Sequence, residues 1–253
     1  MGIKTTIDYI TIASTGDASD FGDLRTQTAD GARECGSSSG ETYGAYFGGY
    51  KGSNGGTTDE IEYITIASTG NTQNWGDLTT DAYTCGGASN SDRGLRFGAS
   101  YSADNSRIDY FNWSTGGGNA SDFGSLTSNV ASISGNGCES STRAVVAGGV
   151  NSGRLNIIQY ITPANTGDAT DFGDLIQPSS TQGATITGSG ISWVTGCTNG
   201  TRGEFSGGVM STSGYPGRLS INNIQYITIA STGNATDAGD LTDEIHFAQS
   251  GQG

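Results

Sequence analysis

The residues best placed to do chemistry are acidic, and they come in short bursts. "DASDFGD" puts Asp17, Asp20 and Asp23 within seven residues, and "DATDFGD" does the same with Asp168, Asp171 and Asp174. Three carboxylates that close together offer the hard oxygen ligands that Ca2+ takes. The spacing departs from the D-x-[DN]-x-[DN]-G loop of EF-hands. Corresponding stretches carry Asn71, Asn74 and Asp77, then Asn119, Asp122 and Ser125. Asp and Asn also make turns by hydrogen-bonding to their own backbone. Turn-making is the expected role, with Ca2+ binding the alternative.

Arg93, Arg143 and Arg202 recur at one position of a repeated block, with Tyr43 standing there in the first copy. Arg is scarce in this chain, so a repeated Arg suggests a task. The expected one is an ion pair with a repeated carboxylate such as Asp77, Asp174 or Asp240, since a bidentate pair would tie neighbouring units together. A basic ring for an anionic ligand is the alternative. Cys35, Cys85, Cys138 and Cys197 fall one per unit, at what reads as one equivalent site. Repetition of that kind points to small core-filling thiols more than to disulfides or a metal centre. There is one histidine, His246, so a Ser-His-Asp triad would have to use it. No P-loop is present. The carboxylate pairs repeat with the units, whereas an active site usually breaks such symmetry. The expectation is a protein that is not an enzyme, with no catalytic or metal residues and no cofactor.

The elements that position these residues are strands. Gly makes up 43 of 253 residues and Pro only three, with no Gly-X-Y period. Short β-branched and aromatic runs separated by Gly, Ser, Thr and Asn read as many strands joined by turns, and no long stretch has helical periodicity. The net charge of −14 argues against a nucleic-acid partner and against an anionic membrane surface. No run approaches the length of a membrane-spanning helix. The N-terminus, "MGIKTTIDYITIAST", lacks a signal-peptide pattern and runs straight into strand-like sequence. The four N-x-[ST] sequons are therefore expected to stay unmodified.

One phrase is written five times, closing at Leu24, Leu78, Leu126, Leu175 and Leu241, with spacings of 54, 48, 49 and 66 residues. Periods near 50 signal stacked supersecondary units. The long last gap needs an insertion, and "SGISWVTG" or "MSTSGYPG" is the expected extra material. Each unit reads as four strands: a small-residue strand such as "ASISG", a strand such as "RAVVAGG", an apolar strand such as "IIQYIT", and the "DFGDL" segment. The third carries apolar residues on both faces, so it should be sandwiched.

Four-stranded units repeated radially make a β-propeller, and this chain resembles the kelch propellers in particular. Kelch blades carry a diglycine after the second strand, then a Tyr, then a Trp. The diglycines here are Gly48-Gly49, Gly148-Gly149 and Gly207-Gly208, with Gly98-Ala99 a degenerate copy. The Tyr position is Tyr9, Tyr63, Tyr110, Tyr160 and Tyr226, and the Trp position is Phe21, Trp75, Phe123, Phe172 and Ala238. The implied fold is all-β: one domain over residues 1–253, a five-bladed kelch-like β-propeller of ~50-residue four-stranded repeats. Its N- and C-terminal segments would close it, with "TDEIHFAQSGQG" acting as a first strand. The closing blade would lack its diglycine strand, which leaves three alternatives: a three-stranded blade, a strand donated by a neighbouring chain, or a sequence that is part of a longer product. The phrases also look like those of kelch-like proteins of tailed bacteriophages. That resemblance implies a virion structural protein made in the host cytoplasm, a capsid decoration or fibre-head component contacting other virion proteins and host-surface glycans. A soluble lectin-like or adaptor propeller binding glycans or protein partners is the alternative, and a carbohydrate-active enzyme a third.

Overall fold

The computed structural model describes residues 5–25, 34–51, 56–100, 105–133, 135–177, 185–213 and 217–245. These residues form an all-β structure whose one helical element is a single 3-10 turn, Trp113–Thr115. No helix among them is long and apolar enough to cross a membrane.

The five repeats become five structural units. Unit 1 is a two-stranded hairpin, Thr6–Tyr9 with Ser19–Asp23. Unit 2 is a four-stranded antiparallel meander of Gly36–Ser39, Tyr43–Phe47, Thr58–Thr65 and Gln73–Ala82. Unit 3 repeats it with Gly86–Ser89, Arg93–Phe97, Arg107–Asn112 and Ser121–Ser125. Unit 4 has a first strand in two pieces, Gly135–Asn136 and Cys138–Glu139, then Ala144–Ala147, Ile157–Ile161 and Thr170–Asp174. Unit 5 has Thr195–Thr198, Arg202–Ser206, Arg218–Thr228 and Thr236–Ile245. Both expected insertion segments are used there. Ile186–Ser192 pairs with Val209–Thr212, which pairs in turn with the start of the long third strand.

The hydrophobic core is laid down between sheets. Phe47, Ile61, Trp75 and Leu78 of unit 2 cluster with Cys85, Phe111 and Trp113 of unit 3. Leu95, Phe97, Ile108 and Phe123 of unit 3 cluster with Val146 and Ile161 of unit 4, and Val145, Ile158 and Phe172 of unit 4 cluster with Phe205, Ile227 and Ile229 of unit 5. First strands of successive units lie side by side, and Gly135–Asn136 pairs in parallel with Gly86–Gly87. That approach needs small residues, because a Cβ on Gly87 would collide with the Ser37 carbonyl.

The diglycines bond to the chain at or beyond the end of a unit's fourth strand. At Gly148-Gly149 the φ angles are 70° and 100°, a conformation open to Gly. The Gly149 amide then donates to Ile191 O at 2.9 Å, at the entrance to the following unit. Gly49 donates to Ala82 O and Gly208 to Ile245 O, each at the end of its own unit's outer strand. The outer strand Thr236–Ile245 pairs with its own third strand. Of the segment expected to close the fold as a first strand, residues 242–253, residues 242–245 instead continue the outer strand of unit 5, with Ile245 opposite Ile221, and residues 246–253 lie outside the described residues.

Candidate functional site

The repeated polar residues converge on the seams between units. At each seam the outer strand of one unit meets the loop after the third strand of the next. The carbonyls of Phe21, Trp75, Phe123 and Phe172 accept from the amides of Gly70, Gly118, Gly167 and Gly233, at 2.6–2.7 Å. Two residues on, the carbonyls of Asp23, Asp77, Ser125 and Asp174 accept from Thr72, Ala120, Ala169 and Ala235, at 2.7–2.9 Å. The loop answers with a side chain. Oδ1 of Asn71, Asn119, Asp168 and Asn234 accepts from the amides of Asp23, Asp77, Ser125 and Asp174, at 2.9–3.1 Å. The glycine of "FGD" makes this approach possible. A Cβ on Gly22, Gly76, Gly124 or Gly173 would fall well inside contact distance of the facing carbonyl.

A fourth bond comes from residues that pattern reading passed over. The residue before each repeat Tyr reaches back across the seam to the amide that follows the repeat Leu. Glu62 accepts from Arg25 N (2.8 Å), Asp109 from Thr79 N (3.3 Å), Gln159 from Thr127 N (2.7 Å) and Gln225 from Ile176 N (2.8 Å). The available signal was chemical: Asp8, Glu62, Asp109, Gln159 and Gln225 all carry an sp2 oxygen. Where this residue is Asp109, unit 3 also buries Arg96 as a counter-ion at 2.6 Å, with both side chains fully buried. Arg96 also donates to the carbonyls of Gly98 and Arg107, which spreads its charge over further acceptors.

Arg93, Arg143 and Arg202 do share one register position, set by hairpin turns in which Asn90, Ser140 and Asn199 cap the two amides ahead. Their partners differ from the expected carboxylates. The guanidinium groups lie over the rings of Tyr110, Tyr160 and Tyr226, at 4.4, 4.5 and 3.8 Å from the centroids. Arg93 then donates to Pro163 O and Arg143 to Ile229 O, both in the next unit. The physical reason is placement. The Arg sits on the second strand, while Asp77, Asp174 and Asp240 lie on outer strands with the Tyr-bearing third strand between. Each Tyr in turn meets the residue at the Trp position edge-on: Tyr9–Phe21, Tyr63–Trp75, Tyr110–Phe123 and Tyr160–Phe172. In unit 2, Tyr43 replaces Arg and stacks edge-on against Tyr63 at 5.3 Å.

The cysteines occupy two register positions instead of one. Cys35 and Cys85 immediately precede the first strand, while Cys138 and Cys197 lie inside it, opposite Val145 and Glu204. The equivalent sites in units 2 and 3 hold Ser38 and Ala88, opposite Ala45 and Leu95. All four thiols are free. Burial pushes Cys35 up to about 12 and Cys85 up to about 11, and it raises Cys138 and Cys197 as well. A thiol held in its neutral form is a weak nucleophile and a poor metal ligand.

The acidic bursts act within turns and seams: Asp171 and Asp237 accept from the amides of Gly173 and Gly239 two residues on, and Asp168 belongs to the seam set. Among the described residues no group of three or more His, Cys, Asp or Glu is arranged to hold a metal ion. His246 lies outside the described residues. What this arrangement does chemically is hold one sheet against the next. No protein-family model matches the chain, and comparison with curated proteins gives no match.

Proposed function

We propose that this chain is a non-enzymatic structural scaffold, a kelch-like propeller of five blade-type units serving as a virion surface component of a tailed bacteriophage. In that role it is a capsid decoration or fibre-head protein. One observation carries the scaffold reading: the polar residues that repeat with the units are spent on joining each unit to the next. Four-stranded meanders with first strands packed side by side support the blade assignment. The bacteriophage assignment rests on the resemblance of the repeated phrases.

The connections between second and third strands suit the role of contact surface. They vary from unit to unit, and in unit 5 the connection carries an added strand, Val209–Thr212. Loops on a rigid frame are where binding specificity resides. Cryo-EM of the particle with which the protein co-purifies tests the reading. Density for the five units on a capsid or tail is the expected result. A free protein that binds a glycan array and associates with no particle would overturn it in favour of a lectin-like module.

A further inference from the structure

Positive charge is scarce in this chain, yet one face of unit 5 collects it without a counter-ion. That face is built by the connection before the third strand of unit 4, the added strands Ile186–Ser192 and Val209–Thr212, and the start of Arg218–Thr228. These pieces belong to residues 140–167, 175–203 and 205–236, and none of the three stretches contains an Asp or Glu. The whole chain has 25 acidic residues against 11 Lys and Arg. The described part of the outer strand stops at Ile245, opposite Ile221, before it reaches Arg218.

Arg154 is fixed from two sides. Its backbone bridges to Val150 and lies against Gly190, where a Cβ would collide with the Arg154 carbonyl. Its Nε donates to Ser192 Oγ at 3.0 Å and its Nη1 to Ser211 Oγ at 2.6 Å. Both acceptors are neutral and belong to the added strands. Ser211 pairs directly opposite Arg218, and residues so paired share a face of the sheet, with Cβ atoms about 5 Å apart. Ile191 and Met210, next to the two serines, go into the core instead. The Arg218 guanidinium lies 5.7 Å from the centroid of the Trp193 ring, and its side chain makes no hydrogen bond or ion pair among the described residues. Burial, and after it the positive charge of Arg218, pushes the Arg154 guanidinium below its ordinary value.

We infer that Arg154 and Arg218 bind an oxyanion group on this face, a carboxylate, sulfate or phosphate lodged between the two guanidinium groups. Guanidinium forks match the paired oxygens of such groups. The serines that seat Arg154 leave its Nη2 with no partner among the described residues. An anion between the two arginines also relieves the repulsion of like charges. Arg25, Lys51, Arg96 and Arg107 each meet a carboxylate of the chain itself, and Arg93 and Arg143 each meet a carbonyl across a seam. Arg154 and Arg218 have neither. The added strands that hold them occur in unit 5 and in no other unit among the described residues, so the repeat does not call for this pair. The inference stands on the geometry of unit 5 and is independent of the virion assignment.

The net charge of −14 sets the conditions. At physiological ionic strength the Debye length is about 8 Å, so distant carboxylates are screened while direct contacts persist. A small anion held by two guanidinium groups should then bind with a dissociation constant on the order of a millimolar. A sugar acid offers the same oxyanion together with a ring that can pack on Trp193.

NMR titration of the full chain with sodium sulfate and, separately, sodium glucuronate tests the inference, with sodium chloride at matched ionic strength as the control. The expected result is a saturable shift of the Trp193 indole N–H, assigned with Trp193→Phe, and of the Arg154 and Arg218 side-chain N–H signals. Arg218 is exposed, so Arg218→Ala leaves the fold intact, and it should weaken binding about tenfold. Arg154→Lys keeps the charge but loses the fork, and should weaken binding about threefold. Arg25→Ala removes the same charge from unit 1 and should change nothing. Tighter binding of glucuronate than of sulfate, with the same dependence on both arginines, would support the site and identify an acidic saccharide as the carrier. Equal binding with that dependence would support the site as one for the free anion. Shifts no larger than those in chloride would overturn the inference. Shifts that persist undiminished in both arginine variants, or that fall as much in Arg25→Ala, would overturn it as well.

Discussion

Arg143 and Arg202 start from the same place and finish differently. Both follow a capped hairpin turn and both lay a guanidinium over the repeat Tyr of their own unit. Arg143 then donates to Ile229 O of unit 5 at 2.8 Å, and Ile229 is buried. Arg202 meets no next-unit carbonyl among the described residues, and its side chain stays exposed. The contrast separates two layers of organisation. A unit's own strands suffice to seat the Arg on its Tyr. The carbonyl cap and the burial of the neighbouring apolar residue come only from the next unit. A seam is therefore a contact between two prepared surfaces.

The largest expected effect sets Gly173 against Gly239. At Gly173 an added Cβ would strike the Gly233 carbonyl and the Asn234 amide, which are backbone and cannot swing aside. Gly173→Ala should therefore lower the unfolding free energy by about 3 kcal/mol or more, from strain and lost seam bonds together. Gly239→Ala meets open space and carries backbone strain alone, costing about 1–2 kcal/mol. Urea unfolding of both variants measures the difference. Equal losses would show that the close approach at the seam contributes nothing beyond the glycine's own conformation.

The repeat, its strands and the shared register of the three arginines were legible because they are properties of one unit written several times. What joins units was harder to read. The acceptor before each Tyr changes name from Glu62 to Asp109 to Gln159, so letter-by-letter matching hides a function that only the oxygen preserves. The Arg partners were misjudged because scarcity of positive charge suggested carboxylates, whereas a π face and a carbonyl lie nearer. The cysteines looked equivalent because their spacing tracks the repeat. Loop-length differences between units concealed a shift of three residues between Cys85 and Cys138, visible only once Gly86 pairs with Phe97 and Cys138 with Val145. Seams between units carry no local periodicity, and a single sequence shows little else.

A smaller effect separates the two arginines directly. Arg143→Ala removes a stacked cation and a charged hydrogen bond to a buried carbonyl, for an expected loss of about 1–2 kcal/mol. Arg202→Ala removes the stacking alone, and at an exposed site that is about 0.5–1 kcal/mol. Thermal or urea unfolding measures both. A loss at Arg202 equal to that at Arg143 would mean that the cap on Ile229 O adds no stability and that the seam's strength lies elsewhere.

The smallest effect leaves stability at neutral pH untouched and reads coverage directly. Cys138 and Cys197 share a register, but Cys138 is covered by unit 5, with its Sγ against the carbonyls of Cys197 and Glu204. Cys197 has no such cover among the described residues and is half-buried. At pH 8 iodoacetamide should label Cys197 well before Cys138, with mass spectrometry of the peptides giving the order. Cys35, half-buried like Cys197, should resist through its raised thiol alone, and Cys85, which is fully buried, should also resist. Burial lifts them to about 12 and about 11 from an ordinary value near 9, so they stay protonated while the chain is folded. An unfolded chain ionises its thiols first as pH climbs. The stabilisation these thiols contribute is complete below about pH 9 and is lost between there and about pH 12. Equal labelling of Cys138 and Cys197 in the folded chain would show that unit 5 does not cover unit 4.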